Sequence, residues 1–280
     1  EMAGQIVKVG KAVEGWSGGD RVTSLPYAIY CGECRHCREG QFGLCKERRS
    51  YGSGVNGAFA EYLAVNASGL YRLPETQDYV GGSLTEPLAC VTKSIYEIAD
   101  LQRDDTVAVL GPGQIGLLTV QVARAVGAEV VLLGLKRDES RLQLGRELGA
   151  EHIFHVDDPQ FYEKLEKELG PDRIDVVFEC SGAGAAFNAA LKIVRKEGKI
   201  VQLGLFGREV AVDLDLLVFK DLKVLGSFAS SLNSWEHALK MTADGSVNTG
   251  ILVSDILGLE EWDEAFRIAS EKDGLKVVIQ

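Results

Sequence analysis

Residues 106–133 read TVAVLGPGQIGLLTVQVARAVGAEVVLL. The run opens on a short apolar, β-prone stretch, 106–110. Gly111, Gly113 and Gly116 follow in the spacing G-x-G-x-x-G. An apolar pattern of helical period then runs from about Gln114 to Val126 and stops at Gly127, and a second apolar run spans 130–133. Strand, glycine turn, helix and strand in this order make a βαβ unit. The first glycine permits a tight turn, the second lets backbone approach a pyrophosphate, and the third lets the helix pack on the strand. The helix opens at Gln114 and Ile115, whose end of the helix faces the phosphates. An ordinary tight turn without a ligand is the alternative, but the flanking strands favour a dinucleotide.

The end of the second strand is where an NAD site carries a carboxylate for the ribose hydroxyls. Gly134 stands there instead. Lys136 and Arg137 follow, and Arg141 comes one helical turn later. A missing carboxylate beside three cations favours the 2′-phosphate of NADP over NAD. A solvated loop pair and weaker NAD binding is the competing reading.

Strand-like and helix-like segments alternate beyond this point. Residues 174–180, 199–205 and 223–228 read as strands, and 184–196 as a helix. Such alternation predicts a parallel, doubly wound α/β sheet. Ligands in these sheets lie at the carboxyl ends of strands. That assigns Cys180, Ser181, Leu203, Gly204, Leu205 and Phe228 to the nicotinamide side. Cys180 reads as a small buried residue rather than a nucleophile. Two further helices, at about 233–243 and 260–270, and a final strand close the chain.

Before residue 87 the pattern changes. Residues 1–10, 20–26 and 57–65 are short β-rich runs between Gly, Asp and Ser, and predict a compact, mostly β unit. It carries CGECRHCREGQFGLC, residues 31–45, in which Cys31, Cys34, Cys37 and Cys45 are four of the chain's 6 cysteines. Cysteines at i and i+3 can direct thiolates at one tetrahedral ion. Lys46, Arg48 and Arg49 offset the negative charge of such a site. A structural zinc is expected, with disulfides or free thiols as alternatives. Four protein ligands close the site, so it holds structure together and performs no chemistry. His36 reads as solvated.

The chain has 280 residues and a formal net charge of -11. This balance opposes general affinity for nucleic acid or anionic membrane and weakens a nucleic-acid-binding zinc ribbon. No apolar run approaches the roughly 18 residues of a membrane span. With no visible export signal, a cytoplasmic location is expected. The chain begins without an initiator Met, as though inside a strand, and an N-terminal part is expected to be missing.

The stretches at 4–10, 19–22, 31–45, 57–65, 84–89, 111–128 and 274–280 together resemble, in order, zinc-dependent medium-chain alcohol dehydrogenases. The similarity covers essentially the whole chain. It is strongest to the polyol branch of sorbitol or L-iditol dehydrogenases, with threonine dehydrogenase nearby. The resemblance implies a GroES-like catalytic domain over 1–87, a Rossmann domain over 88–228, and a return to the catalytic domain over 229–280. It implies that 31–45 is the structural-zinc lobe. It also implies a second, catalytic zinc, of whose ligands the chain matches only Glu86, with Glu1 as an adjacent carboxylate. The Cys and His that complete that site have no counterpart, so the chain as it stands is expected to be inactive. Read without the resemblance, Glu86 is a surface or helix-entry acid.

The implied activity is hydride transfer between a secondary alcohol or polyol and NAD(P), by an enzyme expected to form a homodimer or homotetramer. Threonine dehydrogenase, or a nucleotide-binding protein that has lost catalysis, are the alternatives. The polyol branch carries Arg after the Phe matched by Phe228; Ala229 and Ser230 follow here, which argues against sorbitol itself.

Overall fold

The computed structural model describes residues 1–271 and 274–280. The described chain forms two compact units, Glu1–Cys90 with Ala229–Gln280, and Val91–Phe228.

The first unit opens with short strands β1 (Ala3–Gln5), β2 (Arg21–Ser24), β3 (Tyr27–Ile29), β4 (Arg49–Ser50) and β5 (Leu70–Arg72). Strands β1, β2 and β5 form one antiparallel sheet, and β3 pairs with β4. Helix α1 (Arg35–Arg38) lies in the cysteine stretch, and α2 (Tyr79–Gly82) and α3 (Thr85–Thr92) follow β5. Helix α3 runs across the expected 87/88 boundary and continues as a π-helix over Lys93–Ala99. Residues 57–65 correct an expectation. Their β-rich composition predicts a strand, yet no described strand pairs with them, and Phe59 and Tyr62 are exposed. A strand needs a neighbour to take its amides and carbonyls, and composition does not supply one.

The second unit runs β6 (Thr106–Leu110), α4 (Gln114–Val126), β7 (Glu129–Gly134), α5 (Glu139–Glu147), β8 (His152–His155), α6 (Phe161–Leu169), β9 (Ile174–Glu179), α7 (Gly184–Ile193), β10 (Val194–Gln202), α8 (Leu214–Phe219) and β11 (Lys223–Gly226). The six strands form one parallel sheet in the order β11-β10-β9-β6-β7-β8. All five residues of β6 are buried, as are the last five of β7. Helices cover both faces of such a sheet, so its inner strands become continuous apolar runs. Val131, Phe154, Val177, Phe187, Leu191 and Ile200 belong to one buried cluster on this sheet. The strand order reverses between β6 and β9. That reversal opens a crevice at their carboxyl ends.

The chain then returns to the first unit as α9 (Leu232–Ala243), β12 (Asp255–Leu257), α10 (Trp262–Glu271) and β13 (Val277–Ile279), with β12 and β13 parallel. No described helix is long and apolar enough to cross a membrane.

Candidate metal and dinucleotide sites

The glycine turn sits where β6 gives way to α4. Gly111 has φ +101°, a left-handed conformation that glycine adopts without strain, and a Cβ there would lie 2.8 Å from that of Ser181. A Cβ on Gly116 would stand 1.9 Å from the Gly111 carbonyl oxygen, so the helix can approach the turn only as glycine. Gly113 differs. A Cβ there meets nothing within 4 Å, and no side chain caps the helix it begins. The first amides of a helix lack partners inside it. Here they begin at Gln114 and Ile115, beside that unobstructed glycine. A helix start of this kind is one at which a pyrophosphate can be held.

The remaining dinucleotide candidates follow the carboxyl ends of other strands of the sheet. Cys180 and Ser181 follow β9, Leu203–Leu205 follow β10, and Phe228 lies past β11. Two of these loops interlock, since a Cβ on Gly182 would approach the Leu205 carbonyl oxygen to 2.5 Å, and one on Gly204 the Gly182 nitrogen to 2.2 Å. Burial pushes the Cys180 thiol up to about 12, which opposes nucleophilic use. Next to β6, Gly134 ends β7 packed against Leu142 and Pro112. Lys136 and Arg137 are exposed just beyond it, and Arg141 lies in the first turn of α5. The nearby Asp138 carboxylate accepts from the Leu135 amide at 3.0 Å.

A residue outside the sequence expectations, Glu179, closes β9. It is fully buried. The signal for it was a carboxylate at the end of the otherwise apolar run of β9.

In the first unit, all four sulfurs of Cys31, Cys34, Cys37 and Cys45 lie within 4.8 Å of one another. Cys31 Sγ is 3.8 Å from Cys37 Sγ and 3.7 Å from Cys45 Sγ. Sulfurs at 2.3 Å from a tetrahedral zinc are about 3.8 Å apart. Disulfide sulfurs stand near 2.05 Å, and all six cysteines are free thiols. The Cys34 amide donates to Cys31 Sγ at 3.3 Å and the Cys31 amide to Cys45 Sγ at 3.5 Å. The Cys34 and then Glu33 amides draw the Cys31 thiol down to about 7, toward the thiolate a metal binds. Cys37 and Cys45 are buried, whereas His36 is exposed. The donor set fits zinc. Phe42, between the last two cysteines, stacks on Tyr30 at 4.1 Å.

Glu86 and Glu1 do not make a comparable site. Glu86 lies in the first turn of α3 and accepts from Cys90 Sγ at 3.3 Å. Burial, and then the Glu1 carboxylate, hold its carboxyl above the usual range. Glu1 itself pairs with Lys276. Among the described residues, the four cysteines are the one group of three or more His, Cys, Asp or Glu whose ligating atoms converge. Two carboxylates fall short of the three protein ligands of a catalytic zinc.

The alcohol dehydrogenase GroES-like domain matches residues 1–75, and the zinc-binding dehydrogenase domain matches 115–244. The D-arabitol-phosphate dehydrogenase of Enterococcus avium is 34% identical over 100% of this chain and 80% of its own length. The sorbitol dehydrogenase of Halalkalibacterium halodurans is 34% identical over 100% and 81%. Among solved structures, a zinc-binding dehydrogenase of Sinorhizobium meliloti bound to NADP superposes with a TM-score of 0.87 at 31% identity, over 99% of this chain and 81% of that one. These matches place the protein in the zinc-dependent medium-chain alcohol dehydrogenase family, on its polyol dehydrogenase-like branch.

Proposed function

We propose that the protein oxidises a polyol or related secondary alcohol with NADP, the second unit holding the dinucleotide and the cysteine cluster holding a structural zinc. The open space at Gly113, before the uncapped start of α4, carries this reading. The pyrophosphate sits against those amides. Lys136, Arg137 and Arg141 face the adenosine ribose, where their charge favours a 2′-phosphate and Gly134 offers no carboxylate to oppose it. The backbone of Cys180 and Leu203–Leu205, with Phe228, receives the nicotinamide. The bound nicotinamide supplies the hydride acceptor, its C4 carbon.

Cys31, Cys34, Cys37 and Cys45 hold zinc as a closed site and touch no substrate. Glu86, with Glu1 beside it, is this chain's contribution to the substrate side. No step is assigned to a metal there, because the two carboxylates do not complete a site. The reduced thiols suit a cytoplasmic location. Exposed Leu214, Val218 and Phe219 on α8, near edge strand β11, support self-association as a homodimer or homotetramer.

Fluorescence titration with NADPH and NADH tests the reading. NADPH should bind more tightly, and a form that also carries the Cys and His this chain lacks should reduce NADP in preference to NAD over a polyol panel. A protein that binds neither dinucleotide refutes it.

A further inference from the structure

Glu179 is wholly buried at the point where β9 enters the crevice. Its Oε1 accepts from the Ser181 amide at 2.8 Å, from the Ser181 hydroxyl, and from the Gly182 amide at 3.1 Å. Its Oε2 accepts from the same Gly182 amide at 3.1 Å and from Gln202 Nε2 at 2.6 Å. Its backbone carbonyl accepts from the Leu203 and Gly204 amides at 3.0 and 2.9 Å. One residue thus fastens the loop after β9 to the loop after β10. Gln202 extends the tie by donating to the Gly204 carbonyl at 2.6 Å. The fit is close, since a Cβ on Gly204 would stand 2.7 Å from Glu179 Oε2. The Ser181 hydroxyl is spent within this network. It donates to Glu179 and accepts from the Ala183 amide at 3.2 Å.

We infer that Glu179 is a positioning residue for the nicotinamide half of the bound dinucleotide, holding the two loops that receive the ring in a fixed relation. The inference rests on the dinucleotide reading above. It separates the two halves of the ligand. The adenosine and pyrophosphate half lies on the Gly113 turn and β7, whereas the hydrogen bonds of the Glu179 side chain run to Ser181, Gly182 and Gln202. The nicotinamide half lies past β9 and β10, whose loops Glu179 joins. A preset loop pair spares the ring the entropy of ordering it. The joined segment also meets the glycine turn, because Gly111 packs on Ser181.

Glu179→Gln tests this. The amide keeps the shape but turns one acceptor into a donor facing donors. Binding of NADPH is compared with that of its nicotinamide-free fragment, 2′-phospho-ADP-ribose. The expected result is an NADPH affinity weakened about tenfold or more, with loss of the emission shift of the bound reduced ring. Fragment affinity should stay within about twofold, which also reports an intact fold. Ser181→Ala, which removes one donor, should move NADPH binding the same way by a smaller factor. It decides the matter if Glu179→Gln fails to fold. Equal weakening of NADPH and fragment, or no weakening of either, overturns the positioning role. Wild-type protein that binds neither ligand instead refutes the dinucleotide reading itself.

Discussion

Gly113 and Gly116 lie one helical turn apart, and the same substitution should break different things at each. At Gly116 an added methyl would stand 1.9 Å from the Gly111 carbonyl oxygen, against an ordinary contact near 3.4 Å. Helix α4 and the glycine turn must then separate by roughly 1.5 Å, which is overpacking costing about 1–3 kcal/mol. For a chain of this size that lowers Tm by roughly 2–10 °C. At Gly113 the methyl meets no atom within 4 Å. Its φ of -81° and ψ of -178° suit any residue. Losing glycine at this helix start costs about 1 kcal/mol or less. The methyl does occupy the approach to the α4 amides. Amide bonds to a charged phosphate are worth about 1.5–3 kcal/mol, so NADPH affinity should fall by about 10–150-fold.

Differential scanning fluorimetry without ligand and calorimetric titration with NADPH separate the two effects. Gly116→Ala should lose thermal stability well beyond Gly113→Ala, whereas Gly113→Ala should lose binding while melting near the wild-type temperature. If Gly113→Ala binds NADPH normally, this helix start is not where the pyrophosphate sits. If it melts as early as Gly116→Ala, the space at Gly113 is not free in solution.

Metal analysis should find about one zinc per chain in the cysteine cluster; Cys37→Ser should release it and lower Tm while leaving NADPH affinity unchanged, and two disulfides by mass spectrometry would refute the assignment. Arg137→Ala should narrow the preference for NADPH over NADH by about tenfold, since one phosphate-paired cation is worth roughly 1.5–3 kcal/mol; equal affinities in the wild type would sink it. Burial pushes the Cys180 thiol up to about 12 from its ordinary 9.0, so the folded protein holds this proton more tightly than the unfolded chain. That contribution is fully present below about pH 9 and is lost as pH rises toward 12. Urea midpoints of Cys180→Ala should therefore fall less over this range than those of the wild type, and parallel midpoints would refute the burial argument.

What could be read in advance depended on how far apart along the chain the cooperating residues lie. The β6–α4–β7 unit was legible because its turn, helix stop and strands are contiguous, and each glycine answers a local steric demand. The cysteine cluster was legible because its spacing brings the sulfurs together over one short loop. Residues 57–65 have the composition of a strand, but a strand's partner is non-local, and the described fold provides none. The charge beside β7 was legible as Lys136 and Arg137. The Asp157 carboxylate that takes the Lys136 amide at 3.1 Å was not, because it comes from beyond β8. Glu179 shows both sides of this. A glutamate ending the run IDVVFE cannot be buried without donors, so its presence there already demanded a network. Ser181 and Gly182, two and three residues further on, could have been named. Gln202, which arrives from β10, could not. The demand for partners is thus written locally, while the partner that joins two loops into one surface is written in the topology. For that reason the side of the crevice proposed for the nicotinamide, built from two strand ends, was less legible than the side proposed for the pyrophosphate, built from one turn.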